Sequence, residues 1–204
     1  MTKHALALVL LVSAALTTGA CGNKPPEDPT DYVGTIAARR AAINDQFRNG
    51  PDSPVPENRR NELLPLGYFA IDPEYKTGAT LAPAEDTREM HVATSTGTVR
   101  RMRRIGTLEF SLKGQALKLT AFSEVGAPNL DSLFVPFGDL TGGAETYPGG
   151  RYLDLSRNAT GIYEIDFNRA YFPYCYYSPT YECPIPPVEN RLKVPIRAGE
   201  RFKT

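Results

Sequence analysis

Two runs of alternating apolar and polar residues, joined by a short turn, constrain the fold of this chain most strongly. Apolar residues occupy every second position from Leu108 to Leu112 and again from Leu117 to Ala121, with Lys113-Gly114 between the runs. A period of two is that of a strand with one buried face, and a short connection containing glycine is typical of a β-hairpin. The sequence therefore predicts an antiparallel sheet that contains this hairpin.

Other short segments of strand-like composition lie on both sides of the hairpin. They are 67–71, 90–94, 98–104, 132–137, 151–155, 162–167 and 191–196. A helix is predicted ahead of them, because Tyr32, Ile36, Ile43 and Phe47 recur at helical spacing before Asn49-Gly50. The chain has no βαβ alternation and no internal repeat. The predicted fold class is mainly β (α+β), an antiparallel barrel- or sandwich-like sheet with one N-terminal amphipathic helix.

One predicted strand carries four arginines, at positions 100, 101, 103 and 104. Neighbouring side chains on a strand point to opposite faces, so both faces receive positive charge. We interpret the segment as an edge strand whose charges protect it against aggregation. A patch that binds anionic lipid headgroups is the alternative.

The N-terminus has the features of an export signal. Lys3 precedes an apolar run from Ala5 to Leu16, which is too short to span a bilayer. Thr18-Gly19-Ala20-Cys21 resembles a bacterial lipobox, in which the cysteine receives the lipid; ordinary signal cleavage that leaves Cys21 free is the alternative. We expect a signal peptide at 1–20, lipidated Cys21 and a tether at 21–30, and a single β-rich domain at 31–204. The predicted location is the cell envelope, lipid-anchored and facing the periplasm or the cell exterior.

Charge and cysteine content narrow the possible partners. The 23 basic residues become 22 once Lys3 is removed with the leader, against 23 acidic residues, which gives a net charge of −1. Binding to nucleic acid is not expected, because it requires concentrated positive charge. Beyond Cys21, the remaining pair Cys175 and Cys183 is predicted to form a disulfide in an oxidising compartment. A zinc site is the competing interpretation, but His91 is the only histidine after the leader.

A glycine-rich loop spans residues 139–154 and ends on a strand that carries Arg151. Arg151 has the same parity as Leu153 and Leu155, so its side chain should point inward, where an unpaired charge is costly. Asp139, Glu145 and Asp166 are the candidate partners. We favour an internal ion pair; the alternative is an arginine that waits for a carboxylate or phosphate ligand.

Two further chemistries use the acidic residues of this region. Glu164 and Asp166 are two apart on a predicted strand, so their Cα atoms are about 6.6 Å apart. That distance approaches the ~6.5–9.5 Å carboxylate separation of inverting glycosidases, although a solvent-facing or salt-bridged pair is the simpler interpretation. A Ca²⁺ ion is the second possibility, but the oxygen ligands lack the spacing of a calcium loop, and no cofactor is predicted. The oxygen ligands considered are Asp139, Glu145, Asp154, Asp166 and Asn168.

A tyrosine-rich loop follows at 171–183, and six of the eleven residues from 171 to 181 are aromatic. Aromatic rings with polar tips suit contacts with sugars or peptides, and they also serve to cover a sheet. Together with the glycine-rich loop, this segment is the predicted contact face. The candidate binding or structural cluster consists of Asp139, Glu145, Arg151, Asp154, Asp166, Asn168 and Tyr171.

Several short motifs resemble the bacterial domain of unknown function 1684 family in its lipoprotein form. They are Phe137-Gly-Asp139, Glu145-Thr-Tyr147, Gly149-Gly-Arg-Tyr-Leu-Asp154, Asp166-Phe-Asn-Arg-Ala-Tyr171, Pro173-Tyr-Cys175 and Cys183-Pro-Ile-Pro-Pro187. Phe172 stands where the family pattern has asparagine, which weakens the case for a polar ligand at that position. The resemblance implies no reaction and no catalytic residues.

The predicted function is that of a lipid-anchored cell-envelope protein, a binding or structural module rather than an enzyme. Its expected partners are the membrane, through the lipid anchor, and a small polar or anionic ligand. A carboxylate-based hydrolase that acts on an envelope sugar or ester is the alternative.

Overall fold

A seven-stranded antiparallel sheet forms the body of the protein. The computed structural model describes residues 29–86, 89–125 and 131–203, so the predicted signal peptide, Cys21 and most of the tether lie outside the described residues. The helices are α1 (Pro29–Asn49) and α2 (Arg60–Leu63), with 3-10 turns at Glu57–Arg59, Pro73–Tyr75, Phe167–Arg169, Tyr174–Tyr176 and Val188–Asn190. The strands are β1 (Gly67–Tyr68), β2 (Lys76–Pro83), β3 (Glu89–Ala93), β4 (Val99–Leu112), β5 (Gln115–Glu124), β6 (Ser132–Phe137), β7 (Arg151–Ser156), β8 (Tyr163–Asp166) and β9 (Glu200–Arg201).

The sheet is nearly closed into a barrel. Its strand order is β7-β6-β5-β4-β2-β8, and β3 pairs with β4 beside this path. An isolated antiparallel bridge between Arg157 and Tyr163 brings the two end strands together. A separate two-stranded ribbon pairs β1 with β9. The prediction of a mainly antiparallel, barrel-like sheet with one N-terminal helix is confirmed.

The predicted hairpin is β4 and β5, whose register ends at Leu112 opposite Gln115. Both turn residues have positive φ, +48° at Lys113 and +79° at Gly114. Two left-handed residues in succession match the right-handed twist of the strands that they join. The alternating apolar residues of both strands face the barrel interior, where Leu108 and Leu119 are fully buried.

The strand boundaries differ from the prediction in informative ways. Segments 98–104 and 108–112 are one strand of 14 residues, β4, because a bulge between Arg104 and Gly106 preserves the pairing where the apolar alternation breaks. Only glycine fits at 106, since a Cβ there would lie 2.4 Å from the Ala82 carbonyl oxygen. Strand β2 was missed because its threonines, glycine and alanines give little apolar signal. Residues 191–196 form no strand, and 67–71 contributes only two strand residues.

The edge-strand interpretation of the four arginines is wrong. β4 lies inside the sheet, with β3 paired along residues 99–103 on one side and β5 on the other. Arg100 pairs with Glu124 on β5, and Arg101 pairs with Glu89 on β3 at 3.2 Å. The charges of Arg100 and Arg101 therefore meet acidic partners on the neighbouring strands.

A second hydrophobic cluster lies outside the barrel and holds α1. Three of the predicted apolar positions of this helix, Tyr32, Ile36 and Phe47, are buried, whereas Ile43 is only partly buried. Phe47 packs with Phe172 and Tyr177 of the tyrosine-rich loop in the same cluster. None of the described helices is long and apolar enough to cross a membrane.

Candidate functional site

A buried ion pair joins the glycine-rich loop to the barrel. Arg151 opens β7 and its side chain is 1% exposed, while that of Asp139 is 3% exposed. Arg151 Nη2 donates to Asp139 Oδ2 at 2.8 Å. Of the three carboxylates considered as partners for Arg151, the structure places Asp139 beside it.

Backbone carbonyls near the C-terminus hold both Nη atoms of Arg151, whereas its buried Nε has no hydrogen-bond partner in the described chain. Nη2 donates to Ile196 O at 2.7 Å, and Nη1 donates to Ala198 O at 2.5 Å and to Glu200 O at 3.1 Å. Burial lowers the pKa of Arg151, and the Asp139 carboxylate opposes that effect. Because both Nη atoms are fully engaged by protein acceptors, this arginine links three chain segments and has no Nη donor left for a ligand.

Asp139 is saturated in the same way. Its Oδ1 accepts from Thr141 N at 2.9 Å, from Thr141 Oγ1 at 2.6 Å and from Ile196 N at 3.0 Å. These bonds fold the glycine-rich loop over the ion pair. Gly150 completes the turn with φ of +90°, and a Cβ there would lie 2.6 Å from Phe137 O.

Glu145 lies apart from this pair, on the outer side of the loop. It binds the exposed Arg197, whose Nε donates to Glu145 Oε1 at 3.0 Å. Solvent and salt screen an interaction of this kind, because the Arg197 side chain is exposed. Glu145 therefore holds the loop surface and takes no part in the buried centre.

Asp166 and Asn168 lie beneath the start of α1. Asp166 is 2% exposed, which corrects its assignment to a solvent-facing surface with Glu164. Its Oδ1 accepts from the Tyr32 hydroxyl at 2.9 Å, and Asn168 Nδ2 donates to the same hydroxyl oxygen at 2.9 Å. Glu164 is outside this cluster and pairs with Lys76 at 3.1 Å. The two carboxylates considered for a hydrolase thus occupy different environments.

The proposed oxygen ligands of a cation are divided among these places. Asp139 lies in the buried ion pair, Glu145 on the loop surface, and Asp166 and Asn168 under α1. Within residues 29–86, 89–125 and 131–203, no three His, Cys, Asp or Glu side chains gather as a metal site requires.

A cleft of about 760 Å³ opens between α1, the outer face of β5, β6 and β7, and the tyrosine-rich loop. Its volume lies in the range of small-molecule sites, ~300–1,000 Å³. Of the predicted cluster, Asp154 and Tyr171 line this cleft. The charged and tyrosine side chains that line it are Arg39, Arg100, Arg169, Glu124, Asp154, Glu182, Glu200, Tyr68, Tyr152, Tyr171, Tyr174, Tyr177 and Tyr181.

Most charged groups of the cleft have partners in the protein. Arg100 pairs with Glu124, and Thr96 Oγ1 donates to Glu182 Oε2 at 3.2 Å. The exposed Arg39 of α1 is different: it forms no hydrogen bond or ion pair with any residue that the structure describes. The cleft therefore contains a cation available to a ligand.

Arg39 lies within electrostatic reach of two tyrosine hydroxyls. Burial raises the pKa values of Tyr68 and Tyr171, and the Arg39 charge acts in the opposite direction on both. Tyr171 OH donates to Asp154 Oδ2 at 2.8 Å. The Tyr171 hydroxyl thus bonds the exposed carboxylate of the cleft and also lies within reach of the charge of its free cation.

The tyrosine-rich loop forms one wall of the cleft and is fixed by edge-to-face ring contacts. Tyr174 packs on Tyr181 with ring centroids 5.3 Å apart, and Tyr171 packs on Tyr152 at 5.8 Å. Tyr152 OH donates to Pro184 O at 2.6 Å, which holds the far end of the loop on β7. The sequence offered covering a sheet and contacting a ligand as alternatives; here the same loop covers β7 and lines the cleft.

Glu200 is a fully buried carboxyl group at the base of this wall. Tyr177 OH donates to Oε1, and Phe172 N donates to Oε2 at 2.8 Å. Burial raises the pKa of Glu200 to about 7, although both donors and the Arg151 charge act in the opposite direction. Its carboxyl group holds the wall while its backbone oxygen accepts from Arg151, so it connects the cleft to the buried ion pair.

Cys175 and Cys183 are adjacent free thiols in the structure. Cys175 N donates to Cys183 Sγ at 3.1 Å. The hydrogen bond with Cys183 lowers the pKa of Cys175 to about 6 and raises that of Cys183. Their proximity is compatible with the disulfide, which stays a prediction.

Sequence reasoning missed Arg39 and Glu200 as parts of a site. Arg39 lies on the exposed face of α1, but the sequence does not indicate that this face borders a cleft. Glu200 follows Ala198-Gly199 near the C-terminus and carries no signal of burial. Two of the predicted site residues line the cleft, Asp154 on β7 and Tyr171 in the tyrosine-rich loop. The signal in the sequence that points to this region is its high density of tyrosines.

Fold and site together define a β-rich domain with a ligand-sized aromatic cleft. The profile of the family described as "Protein of unknown function (DUF1684)" matches residues 62–201. The chain therefore belongs to this family, which confirms the resemblance to the family, while the lipoprotein form stays a prediction. The solution NMR structure of an uncharacterized protein from Haloarcula marismortui is 36% identical, with a TM-score of 0.66, over 84% of this chain and 95% of that chain. No curated protein matches the chain.

Proposed function

We propose that the protein is a lipid-anchored binding module of the cell envelope, which holds a small polar or anionic ligand in the cleft beneath α1. The observation that carries the proposal is which charged side chains of the cleft have a partner in the protein and which do not. Arg39 has no partner among the described residues, whereas Arg100 and Glu182 are engaged by protein groups. A guanidinium left free in an aromatic cleft is suited to a carboxylate or phosphate.

The contact face is narrower than the sequence predicts. The tyrosine-rich loop supplies one wall of the cleft, whereas the glycine-rich loop is folded around Asp139 and reaches the cleft only at Asp154. Arg151 has no Nη donor left for a ligand, because Asp139 and three carbonyl oxygens surround it. The ligand therefore contacts α1 and β7 rather than the buried ion pair.

The anchoring part of the proposal rests on the sequence. Thr18-Gly19-Ala20-Cys21 follows an apolar leader, and three prolines within Gly22–Pro29 favour an extended tether. Such a tether spans roughly 25 Å at ~3.1 Å per residue. The cleft would then face the periplasm or the cell exterior.

The anchoring is tested by labelling cells with a radioactive lipid precursor. The wild-type protein should incorporate the label, and Cys21→Ser should not. Equal labelling of both proteins would contradict the anchor. The domain without its leader is then used for the binding test, so that the two parts of the proposal are measured separately.

Ligand binding is tested by NMR titration with inorganic phosphate, acetate, glucose, glucuronate and dialanine. At least one compound should shift the amide signals of Asp154 and Tyr171. Gln46→Trp places a large ring in the cleft from an exposed position of α1 and should abolish the shifts. Arg48→Trp, on the same helix but outside the cleft lining, is the matched control. Shifts that survive Gln46→Trp, or no shifts from any compound, would refute binding in the cleft.

A further inference from the structure

The groups of the cleft that are not satisfied by the protein indicate which ligand fits it. Arg39 is free, and Arg169 uses its Nε for Asp166 at 3.2 Å, which leaves its Nη atoms without a partner among the described residues. Asp154 Oδ2 accepts a hydrogen bond from the Tyr171 hydroxyl, and Asp154 Oδ1 has no partner within the described chain. The cleft thus presents guanidinium donors of Arg39 and Arg169 and a carboxylate oxygen of Asp154. Glu124 and Glu182 each keep a second carboxylate oxygen that has no partner within the described chain.

Tyrosine rings occupy the surface between these charges. Tyr68, Tyr171 and Tyr181 are half-buried, and Tyr174 is 40% exposed. Edge-to-face contacts with Tyr152 and Tyr181 fix the rings of Tyr171 and Tyr174. A fixed ring offers an apolar face and a polar tip at little cost in conformational entropy. A ligand with a flat apolar face and hydroxyls around its edge matches this surface.

Simple anions and neutral sugars each satisfy only part of the cleft. Inorganic phosphate would pair with Arg39 but leave the tyrosine rings and most of the 760 Å³ unused. A neutral sugar could stack on tyrosine and donate hydroxyls to Asp154, but it has no anion for Arg39. An acyl chain could contact apolar lining residues such as Ile43, Met102 and Phe134, but it has no group that pairs with Arg39 or Asp154.

Resting on the proposed binding function, we propose that the cleft binds an acidic saccharide, a sugar unit that carries a carboxylate. The carboxylate pairs with Arg39, with the Nη atoms of Arg169 as a second donor set. Ring hydroxyls donate to Asp154 Oδ1, and the ring stacks on Tyr171 or Tyr174. The Tyr171 hydroxyl, bonded to Asp154, separates the ligand carboxylate from the protein carboxylate and so limits their repulsion. The cleft has room for more than one ring.

Isothermal titration calorimetry with matched disaccharides tests the assignment. The probes are cellobiouronic acid, with cellobiose as its neutral counterpart, and digalacturonic acid, with the α-1,4-linked disaccharide of galactose as its neutral counterpart. At least one acid should bind about tenfold or more tightly than its neutral counterpart, as one charge-assisted contact provides. Arg39→Gln should remove the preference for the acid, Asp154→Asn should weaken acid and neutral sugar alike, and Arg48→Gln should change neither.

The remaining outcomes distinguish the acidic-saccharide assignment from the proposed binding function. Equal affinity for acid and neutral disaccharide, or an acid preference that survives Arg39→Gln, overturns the acidic-saccharide assignment. Binding of phosphate or dialanine in the cleft with no binding of any disaccharide overturns the assignment while the binding function stands. The absence of binding by every probe overturns both.

Discussion

Two arginines on the same domain have opposite surroundings, and the contrast separates stability from recognition. Arg151 is 1% exposed and its Nη atoms donate to one carboxylate and three carbonyl oxygens. Arg39 is exposed, lines a cleft and has no bonded partner in the described chain. The first charge is neutralised by the fold, whereas the second remains available. The density of partners around an arginine therefore distinguishes a structural role from a binding role in this protein.

The largest effect should come from breaking the buried ion pair. Arg151→Ala leaves Asp139 charged in the interior and should lower the free energy of unfolding by ~3–5 kcal/mol. Urea denaturation measures the change, and Arg48→Ala, an exposed arginine on α1, should stay within ~0.5 kcal/mol of wild type. The double variant Arg151→Met/Asp139→Leu should lose less than the two single changes combined, because no buried charge is left alone. A loss below ~1 kcal/mol for Arg151→Ala would show that the pair is not structural.

The next largest effect concerns Glu200, which links the two regions. Its folded pKa of about 7 lies above the ordinary value of 4.5, so the folded state binds the proton more tightly. The stability linked to this group is fully present below pH 4.5 and is lost as pH rises through about 7. The loss amounts to about 3 kcal/mol. Relative to Glu200→Gln, the wild-type free energy of unfolding should decline over this interval; a constant difference between the two would contradict the shifted pKa.

A smaller effect is expected from closing the tyrosine-rich wall covalently. A bond between Cys175 and Cys183 would enclose a short loop and stabilise the fold by roughly 2–3 kcal/mol. Denaturation of exported protein with and without dithiothreitol should show this difference, and Cys175→Ser should be insensitive to the reductant. Mass mapping under non-reducing conditions that recovers both thiols free would disprove the bond.

The smallest effect on stability should be that of Arg39 itself. Arg39→Gln removes no bonded partner, so the free energy of unfolding should change by less than ~0.5 kcal/mol. Thermal denaturation of this variant beside Arg151→Ala completes the comparison. A loss comparable to that of Arg151→Ala would mean that Arg39 is part of the fold, and the contrast between the two arginines would disappear.

Local sequence patterns predicted the elements whose formation depends little on distant parts of the chain. Alternation with Lys113-Gly114 located the β4–β5 hairpin, and helical spacing located α1. The parity of Arg151 with Leu153 indicated an inward charge that needs an acid, and Asp139 is that acid. In each case a periodic pattern fixes the face on which a side chain lies, which is information contained in a few consecutive residues.

The candidate polar cluster shows what such local patterns do not predict, namely which side chains come together in the fold. Residues expected together occupy separate places, with Asp139 in the buried pair, Asp166 under Tyr32 and Asp154 in the cleft. Strand parity assigned Asp166 to the face opposite Ile165, and it cannot indicate that α1 covers that face. Burial of a polar face depends on a distant segment, here one that lies 134 positions away in the sequence.

The sequence by itself determined the antiparallel sheet, its helix, the family and the need of Arg151 for an anion. Tertiary structure alone decided that Glu200 is buried, that Arg39 borders a cleft, and that the glycine-rich loop is folded over an ion pair. The physical reason is the range of the interactions involved. Periodicity and turn chemistry act over a few residues, whereas desolvation and the pairing of charges depend on every segment that packs nearby. The cleft is lined by α1, several strands and a loop, which meet only when the barrel forms.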